Sequence, residues 1–365
     1  MQLHSFKNKT VLVTGHTGFK GAWLTAWLKK LGATVVGIAL DPPSMPSHYV
    51  KANIAEGIND LRIDIRDQAK FVNSVISAQP DFVFHLAAQA LVRCSYEDPI
   101  VTWQTNVFGT LYLLEALRKL EKPCSVVIIT SDKCYDNVEW VWGYRETDAL
   151  GGPDPYSASK GAAEIAIKSH IKSYFPKSTS LVRIASARAG NVIGGGDWAP
   201  NRIVPDCVKA WSLDRLVDLR NPHSTRPWQH VLEPLSGYLT LAIALSVRPE
   251  LHGEPFNFGP QAMQNHTVLA LVQRMAMHWK QVRWRDVSGL VVTGPYESGL
   301  LKLNCDKALH ELHWHAVMGF EDTVEMTTEW YRAYYQETEQ IATITDRQIS
   351  SYTAIAKQKG MEWAL

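Results

Sequence analysis

The chain has 365 residues, 46% of them hydrophobic, and a formal net charge of +1. That length exceeds what one small core needs and suits two domains or one large one with an appendage, while the near-neutral charge gives no electrostatic reason to expect nucleic acid. No uncharged apolar run reaches the 18 or so residues a membrane helix needs, and the five cysteines (94, 124, 134, 207 and 305) form no CxxC pair.

Residues 1–10, MQLHSFKNKT, carry no apolar leader core, so a cytoplasmic protein with reduced thiols is expected. The first strand is the apolar, β-branched run Val11 to Val13, followed by Gly15, Gly18 and Gly21 in TGHTGFKG. Strand, tight turn and helix start in that order read as a dinucleotide-binding entry. Gly15 permits the turn, Gly18 lets a pyrophosphate approach the backbone, and Gly21 lets the helix pack on the strand, with the helix N-terminus offering N–H donors. His16 and Lys20 put large side chains where such loops usually carry small ones, which predicts weakened contact with the dinucleotide. A second strand over 34–40 ends at Asp41, placed to take the adenosine ribose hydroxyls and to favour NAD over NADP. A third, LRID, brings Asp64 near an adenine site.

Strands and helices then alternate: helix 68–76, strand 81–87, helix 103–120, strand 125–130, helix 156–175 and strand 180–184. Near-continuously apolar strands alternating with helices imply an α/β fold, a doubly wound parallel sheet of Rossmann type covered on both faces. After about residue 186 glycine and proline rise (GGGDWAPNRIVP) and short mixed elements follow. The expected organisation is a cofactor domain over 1–185, a smaller mixed α/β substrate domain over 186–345 interleaved with the first, and a C-terminal tail over 346–365. HELHWH at 310–315 alternates as a half-buried strand or turn does, and no histidine grouping has metal-ligand spacing. No metal is expected.

The strand SVVIIT runs into Ser131, Asp132 and Lys133, and YSASK places Tyr156 and Lys160 one helical turn apart on one face. An ordinary tyrosine with a pKa of about 10 is protonated at neutral pH; a neighbouring ammonium and a positively charged nicotinamide favour its phenolate. Ser131, at the carboxyl end of a parallel strand, is placed to hydrogen-bond the reacting oxygen.

With these motifs the chain resembles the extended short-chain dehydrogenase/reductases over nearly its whole length, and among them the CDP-glucose 4,6-dehydratases. TGHTGFKG, TNVFGT at 105–110 and YSASKGAAE at 156–164 carry the superfamily; TSDKCYDN at 130–137, NVIGGGDW at 191–198 and RPWQHVLEPLSGYL at 226–239 carry the narrower match; HLAAQALVR at 85–93 is a further motif of the resemblance. The resemblance implies NAD held by Gly15, His16, Gly18, Phe19, Gly21, Asp41, Asp64, Ile65, Ala87, Ala88, Gln89 and Asn106, with Tyr156 and Lys160 at the nicotinamide ribose. It implies a hexose among Ser131, Asp132, Lys133 and Tyr156, and a nucleotide diphosphate held by Arg93, Asn191, Arg202 and Arg226. It further implies a homodimer or dimer of dimers, and deoxysugar synthesis of the kind that feeds O-antigen and lipopolysaccharide.

The implied reaction oxidises carbon 4 of CDP-glucose, loses water across carbons 5 and 6, and returns hydride to carbon 6. Lys133 stands where dTDP-glucose dehydratases carry a glutamate. A free lysine, with pKa about 10.4, is no base at pH 7. Either burial lowers it into the range of a base, with Asp132 as the acid for the departing hydroxyl, or it stays charged and stabilises the enolate. A sugar-nucleotide 4-epimerase, which needs no Asp132–Lys133 pair, and a non-catalytic NAD-binding protein are the alternatives.

Overall fold

The computed structural model describes residues 2–279, 282–288 and 300–365. Its first half repeats strand and helix: β1 (Thr10–Thr14), α1 (Phe19–Lys30), β2 (Thr34–Ala39), α2 (His48–Lys51), β3 (Asn59–Arg62), α3 (Gln68–Ala78), β4 (Phe82–His85), α4 (Val92–Glu97), α5 (Pro99–Trp103), α6 (Gly109–Leu117), β5 (Cys124–Ile129), α7 (Pro155–Tyr174) and β6 (Val182–Ala189). Local signals set the helix starts. Asp67 caps α3, and Asp154 caps α7 with Pro155 just inside it, supplying the carboxylate and fixed φ that a helix entry favours.

The second half contributes β7 (Val192–Ile193), α8 (Ile203–Ser212), β8 (Val217–Leu219), β9 (Thr225–Arg226), β10 (Gln229–His230), α9 (Leu232–Val247), β11 (Pro255–Phe258), α10 (Val268–Ala276), α11 (Asp306–Leu312), α12 (Phe320–Tyr335) and α13 (Ile341–Gln358). β11 returns to the main sheet and pairs parallel with β6. The sheet therefore has seven strands in the order β11-β6-β5-β4-β1-β2-β3, all parallel. The order reverses between β1 and β4, and a crevice opens there at the carboxyl ends of the strands.

Side chains alternate between two apolar layers, as the pleat requires. Val11 and Val13 join the layer containing Trp23, Trp27 and Leu239, whereas Leu12 joins the layer containing Phe71, Leu113 and Ile167.

Three expectations change. The single helix over 103–120 is broken by a π-helical turn over 104–108, where Asn106 is drawn inward to bond the loop after β4. His310 to Leu312 of HELHWH close α11, a helix rather than a strand or turn, and Trp314 beyond it is fully buried. Residues 346–365, expected as a tail, lie in α13 and the turn after it, where Tyr352 and Trp363 pack edge-on against Trp27 of α1 at 5.8 and 6.1 Å between ring centroids.

A Cβ on Gly21 would lie 2.1 Å from the Gly15 carbonyl oxygen, whereas one on Gly18 would meet nothing nearer than 3.4 Å. Gly21→Ala must push α1 off β1, at a cost of about 1–3 kcal/mol. Its thermal unfolding midpoint is expected to fall by at least about 2 °C, with that of Gly18→Ala unchanged within error, when the two variants are melted side by side.

Candidate active site

The crevice beyond β1, β4, β5 and β6 widens into a cavity of ≈ 1460 Å³ that reaches α8 and β8. At one end is the glycine loop. Gly15 has φ +75°, and its missing Cβ would overlap the Ala87 backbone at 2.7 Å, so β1 and the loop after β4 meet only because this residue is glycine. Gly18 caps α1 with no side-chain cap of its own, leaving N–H groups of the first helical turn directed to the cavity. A close backbone cradle beside an open helix N-terminus fits a dinucleotide pyrophosphate.

Phe19, Asp41, Asp64, Ile65, Ala87, Ala88 and Gln89 line the same region. Asp41 leaves β2 with its side chain 93% exposed, 3.9 Å from Arg62. Asp64 is ion-paired to Arg66 at 2.6 Å, which holds its carboxyl below the usual range.

Two expected cofactor residues turn their side chains away. His16 is fully buried beneath β2: its Nε2 and Asp60 Oδ1 are 2.8 Å apart, and its ring occupies the space that a Cβ on Gly37 would need. Tyr49 and Arg62 donate to the other Asp60 oxygen at 2.6 and 2.8 Å. The crowding expected from His16 is therefore absent, because glycine at 37 opens a slot for the ring on the far side of the loop. Asn106 is also buried and accepts from Gln89 N–H, donates to the Gln89 carbonyl and donates to Ser159 Oγ at 2.9 Å. It fixes the loop after β4 against α7 and does not face the cavity.

At the centre of the cavity, β5 ends in a 3-10 turn. Ser131 Oγ accepts from the Lys133 N–H at 3.2 Å and donates to Asp132 Oδ1 at 3.0 Å. Asp132 is 4% exposed, and a Cβ on Gly190 would lie 2.9 Å from its other oxygen. Burial raises its carboxyl pKa above the usual range, against the pull of Lys133 and Ser131. Tyr156 and Lys160 enter from the first two turns of α7, with the Lys160 ammonium 6.0 Å from the Tyr156 ring centroid. Burial pushes the tyrosine up to about 12, while Ser131 opposes the rise; the same burial pulls Lys160 down to about 8.

Arg202, at the start of α8, is bonded to Asp197 at 2.6 Å and lines the cavity with Arg93, Asn191 and Arg226. Arg226 also donates to the Thr225 carbonyl at 2.8 Å. Lys20 also reaches this wall. Burial first, then Arg202, lowers it to about 8, and Asp132 opposes them. It points into the centre of the cavity and not to solvent.

The family described as GDP-mannose 4,6 dehydratase matches residues 12–327. The chain belongs to this family, within the short-chain dehydrogenase/reductase superfamily. It is 45% identical over 353 residues to a CDP-glucose 4,6-dehydratase of Salmonella typhimurium, covering 95% of this chain and 97% of that one. A UDP-glucose 4-epimerase of Mycoplasma pneumoniae is 24% identical over 89% of this chain and 97% of its own length. Among solved structures, the UDP-glucose-4-epimerase of Stenotrophomonas maltophila with bound NAD superposes with a TM-score of 0.75 at 21% identity, over 91% of this chain and 100% of that one.

Sequence reasoning missed the ion pair beneath the turn that carries Ser131, Asp132 and Lys133. Glu164 of α7 accepts from Arg188 Nη2 at 2.8 Å, Thr130 Oγ1 at 2.5 Å and Ser186 Oγ at 2.8 Å, all buried. The available signal was Arg188, the second of two arginines in the strand VRIASARA, flanked by alanines where a buried strand calls for an apolar residue. Asp60, which anchors His16 and Tyr49, was missed as well.

His16→Ala removes a part-buried hydrogen bond, empties the slot its ring fills and leaves Asp60 with one partner fewer, so a loss of about 1–3 kcal/mol is expected. Chemical denaturation of the NAD-free protein checks it; an unchanged midpoint would mean that His16 does not anchor β2.

Proposed function

We propose that the chain converts CDP-glucose to CDP-4-keto-6-deoxyglucose, with NAD in the crevice between the glycine loop and the loop after β4. The observation that carries this reading is a buried acid, Asp132, next to the half-buried Lys133 and beside Tyr156 on one cavity wall, in a chain 45% identical to a CDP-glucose 4,6-dehydratase.

NAD bound there supplies a temporary store for hydride, taken at carbon 4 and given back at carbon 6. The remaining work falls to side chains. The carboxylate of Asp41 meets the adenosine ribose hydroxyls and repels a 2′-phosphate. Arg202, Arg226, Arg93 and Asn191 hold the diphosphate, for which guanidinium forks supply charge-assisted bonds. Ser131 positions the carbon 4 oxygen, and Tyr156 takes its proton once nearby positive charge, from Lys160 among others, offsets the upward push of burial. With a ketone at carbon 4, the carbon 5 proton becomes acidic. Lys133 acts there, as base or as the cation that steadies the enolate. Asp132, whose burial favours the protonated form, hands its proton to the departing carbon 6 hydroxyl. A 4-epimerase has no water to expel and no use for that acid, which favours the dehydratase.

A homodimer or dimer of dimers belongs to the same proposal. Ile100 of α5, Phe108 of the π turn and Ile165 of α7 are exposed apolar side chains, 65, 48 and 59% accessible, of the kind a second copy would cover. A cytoplasmic location and supply of deoxysugars for O-antigen and lipopolysaccharide rest on the resemblance described above. Among the described residues no helix is long and apolar enough to cross a membrane.

The direct test offers purified protein CDP-, dTDP-, UDP- and GDP-glucose with NAD and follows the 4-keto-6-deoxy product. CDP-glucose is expected to be turned over best, and equal use of all four would overturn the assignment. In Tyr156→Phe, substrate-driven NADH formation is expected to drop by about 10²–10⁴-fold. In the unsubstituted protein that rate is expected to rise with pH from 6 toward 8, because the phenol must lose its proton and burial shifts its pKa upward; above that, Lys160, which burial lowers to about 8, loses the charge that assists it. Lys133→Met is expected to form NADH yet to block exchange of the carbon 5 hydrogen with heavy water. Normal exchange in that variant removes Lys133 from the elimination.

A further inference from the structure

Beyond Arg202 the cavity continues along α8 toward β8, and one carboxylate on that wall has no hydrogen-bond donor among the described residues. Asp206 stands one helical turn past Arg202, its N–H bonded to the Arg202 carbonyl at 3.0 Å, so both side chains leave the same face of α8. It is half-buried and lines the cavity. Asp64, Asp132, Asp154 and Asp197, the other carboxylates sheltered in this cavity, are each hydrogen-bonded within the chain. Asp206 makes no side-chain hydrogen bond and no ion pair within 4 Å among the described residues. Lys209, one turn on, spends its ammonium on the Trp198 carbonyl at 2.8 Å. A sheltered carboxylate without a partner carries a desolvation cost that a bound donor would relieve.

Its position says which part of a ligand it meets. Arg202 lies toward Tyr156 and Lys20, at the sugar and diphosphate end. One turn of α8 further on is about 5.4 Å along the axis, and the cavity continues there toward β8, with room beyond the sugar and diphosphate end for a base. Burial raises the Asp206 carboxyl above its usual range, with Lys209, Arg220 and Arg93 opposing that rise.

We propose that Asp206 selects the nucleotide base, accepting a hydrogen bond from the exocyclic 4-amino group of cytosine. At that position cytosine donates, whereas uracil and thymine present a carbonyl oxygen. A carboxylate is the acceptor suited to the amino group. Set against a carbonyl it stays unpaired, which is how polar sites discriminate strongly between near-isosteres. This role rests on the CDP-glucose reading above.

The test measures binding of CDP and UDP by calorimetry to the NAD-loaded protein, together with turnover of CDP-glucose and UDP-glucose, for the unsubstituted chain, Asp206→Asn and Asp206→Ala. The unsubstituted protein is expected to prefer the cytidine ligands. In Asp206→Asn, whose amide can turn to donate to O4 of uracil, the CDP-to-UDP preference is expected to fall about tenfold or more. In Asp206→Ala it falls through weaker CDP binding alone. Because Asp206 makes no hydrogen bond and no close ion pair among the described residues, both variants are expected to keep the parent melting temperature within about 2 °C; should one fail to fold, the other reads the same ratio. An unchanged preference, or equal weakening of CDP and UDP as a ribose or phosphate contact would give, overturns the role of Asp206 and leaves the CDP-glucose reading standing. An unsubstituted protein without cytidine preference overturns both.

Discussion

Glu164 and Arg188 sit under the turn that carries Ser131, Asp132 and Lys133, 4 and 3% exposed, and their ion pair ties α7 to the ends of β5 and β6. Glu164 lies on α7 one turn beyond Lys160 and two beyond Tyr156. Its oxygens accept from Thr130 at the end of β5 and from Ser186 and Arg188 on β6. The helix that carries the tyrosine is thereby clamped to two strand ends, one residue away from Ser131. Burial alone would push the Glu164 carboxyl up, but Arg188 and the hydroxyl donors hold it below its usual range. Removing one partner of such a pair typically costs about 3–5 kcal/mol, since the other charge is left buried and unpaired. The pair's value here is positional: a carboxylate that must satisfy Thr130, Ser186 and Arg188 together admits little sliding of α7.

The opposite wall of the cavity is fastened with equal economy of space. Gly195 leaves no room for a side chain, as its Cβ would lie 2.0 Å from the Trp330 ring, and its carbonyl accepts from Trp23 Nε1 of α1 at 2.8 Å. Tyr331 donates to the Asp197 carbonyl at 2.5 Å, and the Asp197 carboxylate in turn orients Arg202. Aromatic side chains of α12 thus hold the glycine-rich stretch after β7 against the cofactor-side helix. Lys20 from α1 and Arg202 from α8 come together on this wall, and their proximity, with burial, depresses the lysine. A pair of neighbouring cations in a sheltered cavity is poised for an anionic ligand.

Much of this architecture could be read from short-range pattern. Alternation of apolar strands with helices led to the parallel sheet, and the i, i+4 spacing of Tyr156 and Lys160 led to one helix face. Reading failed where a residue's direction depended on a distant neighbour. His16 looked like an obstacle inside the glycine loop, but glycine at position 37 on the next strand gives its ring another place to go, and Asp60 gives it a partner. Asn106 looked like a cofactor contact until the π turn directed it to Gln89 and Ser159. HELHWH alternates over so few residues that helix and strand periods are hard to separate there, and packing beneath α9 settled it as the end of α11.

Local chemistry was therefore enough for the glycine loop, the sheet and the shared helix face of Tyr156 and Lys160, because each rests on backbone geometry or on residues within a turn of one another. The partners of Glu164, the inward turn of Lys20, the return of β11 to the sheet and the open carboxylate of Asp206 came from the assembled chain alone. Each depends on groups distant in sequence, and burial, hydrogen bonding and charge proximity act through space, so no spacing along the chain encodes them.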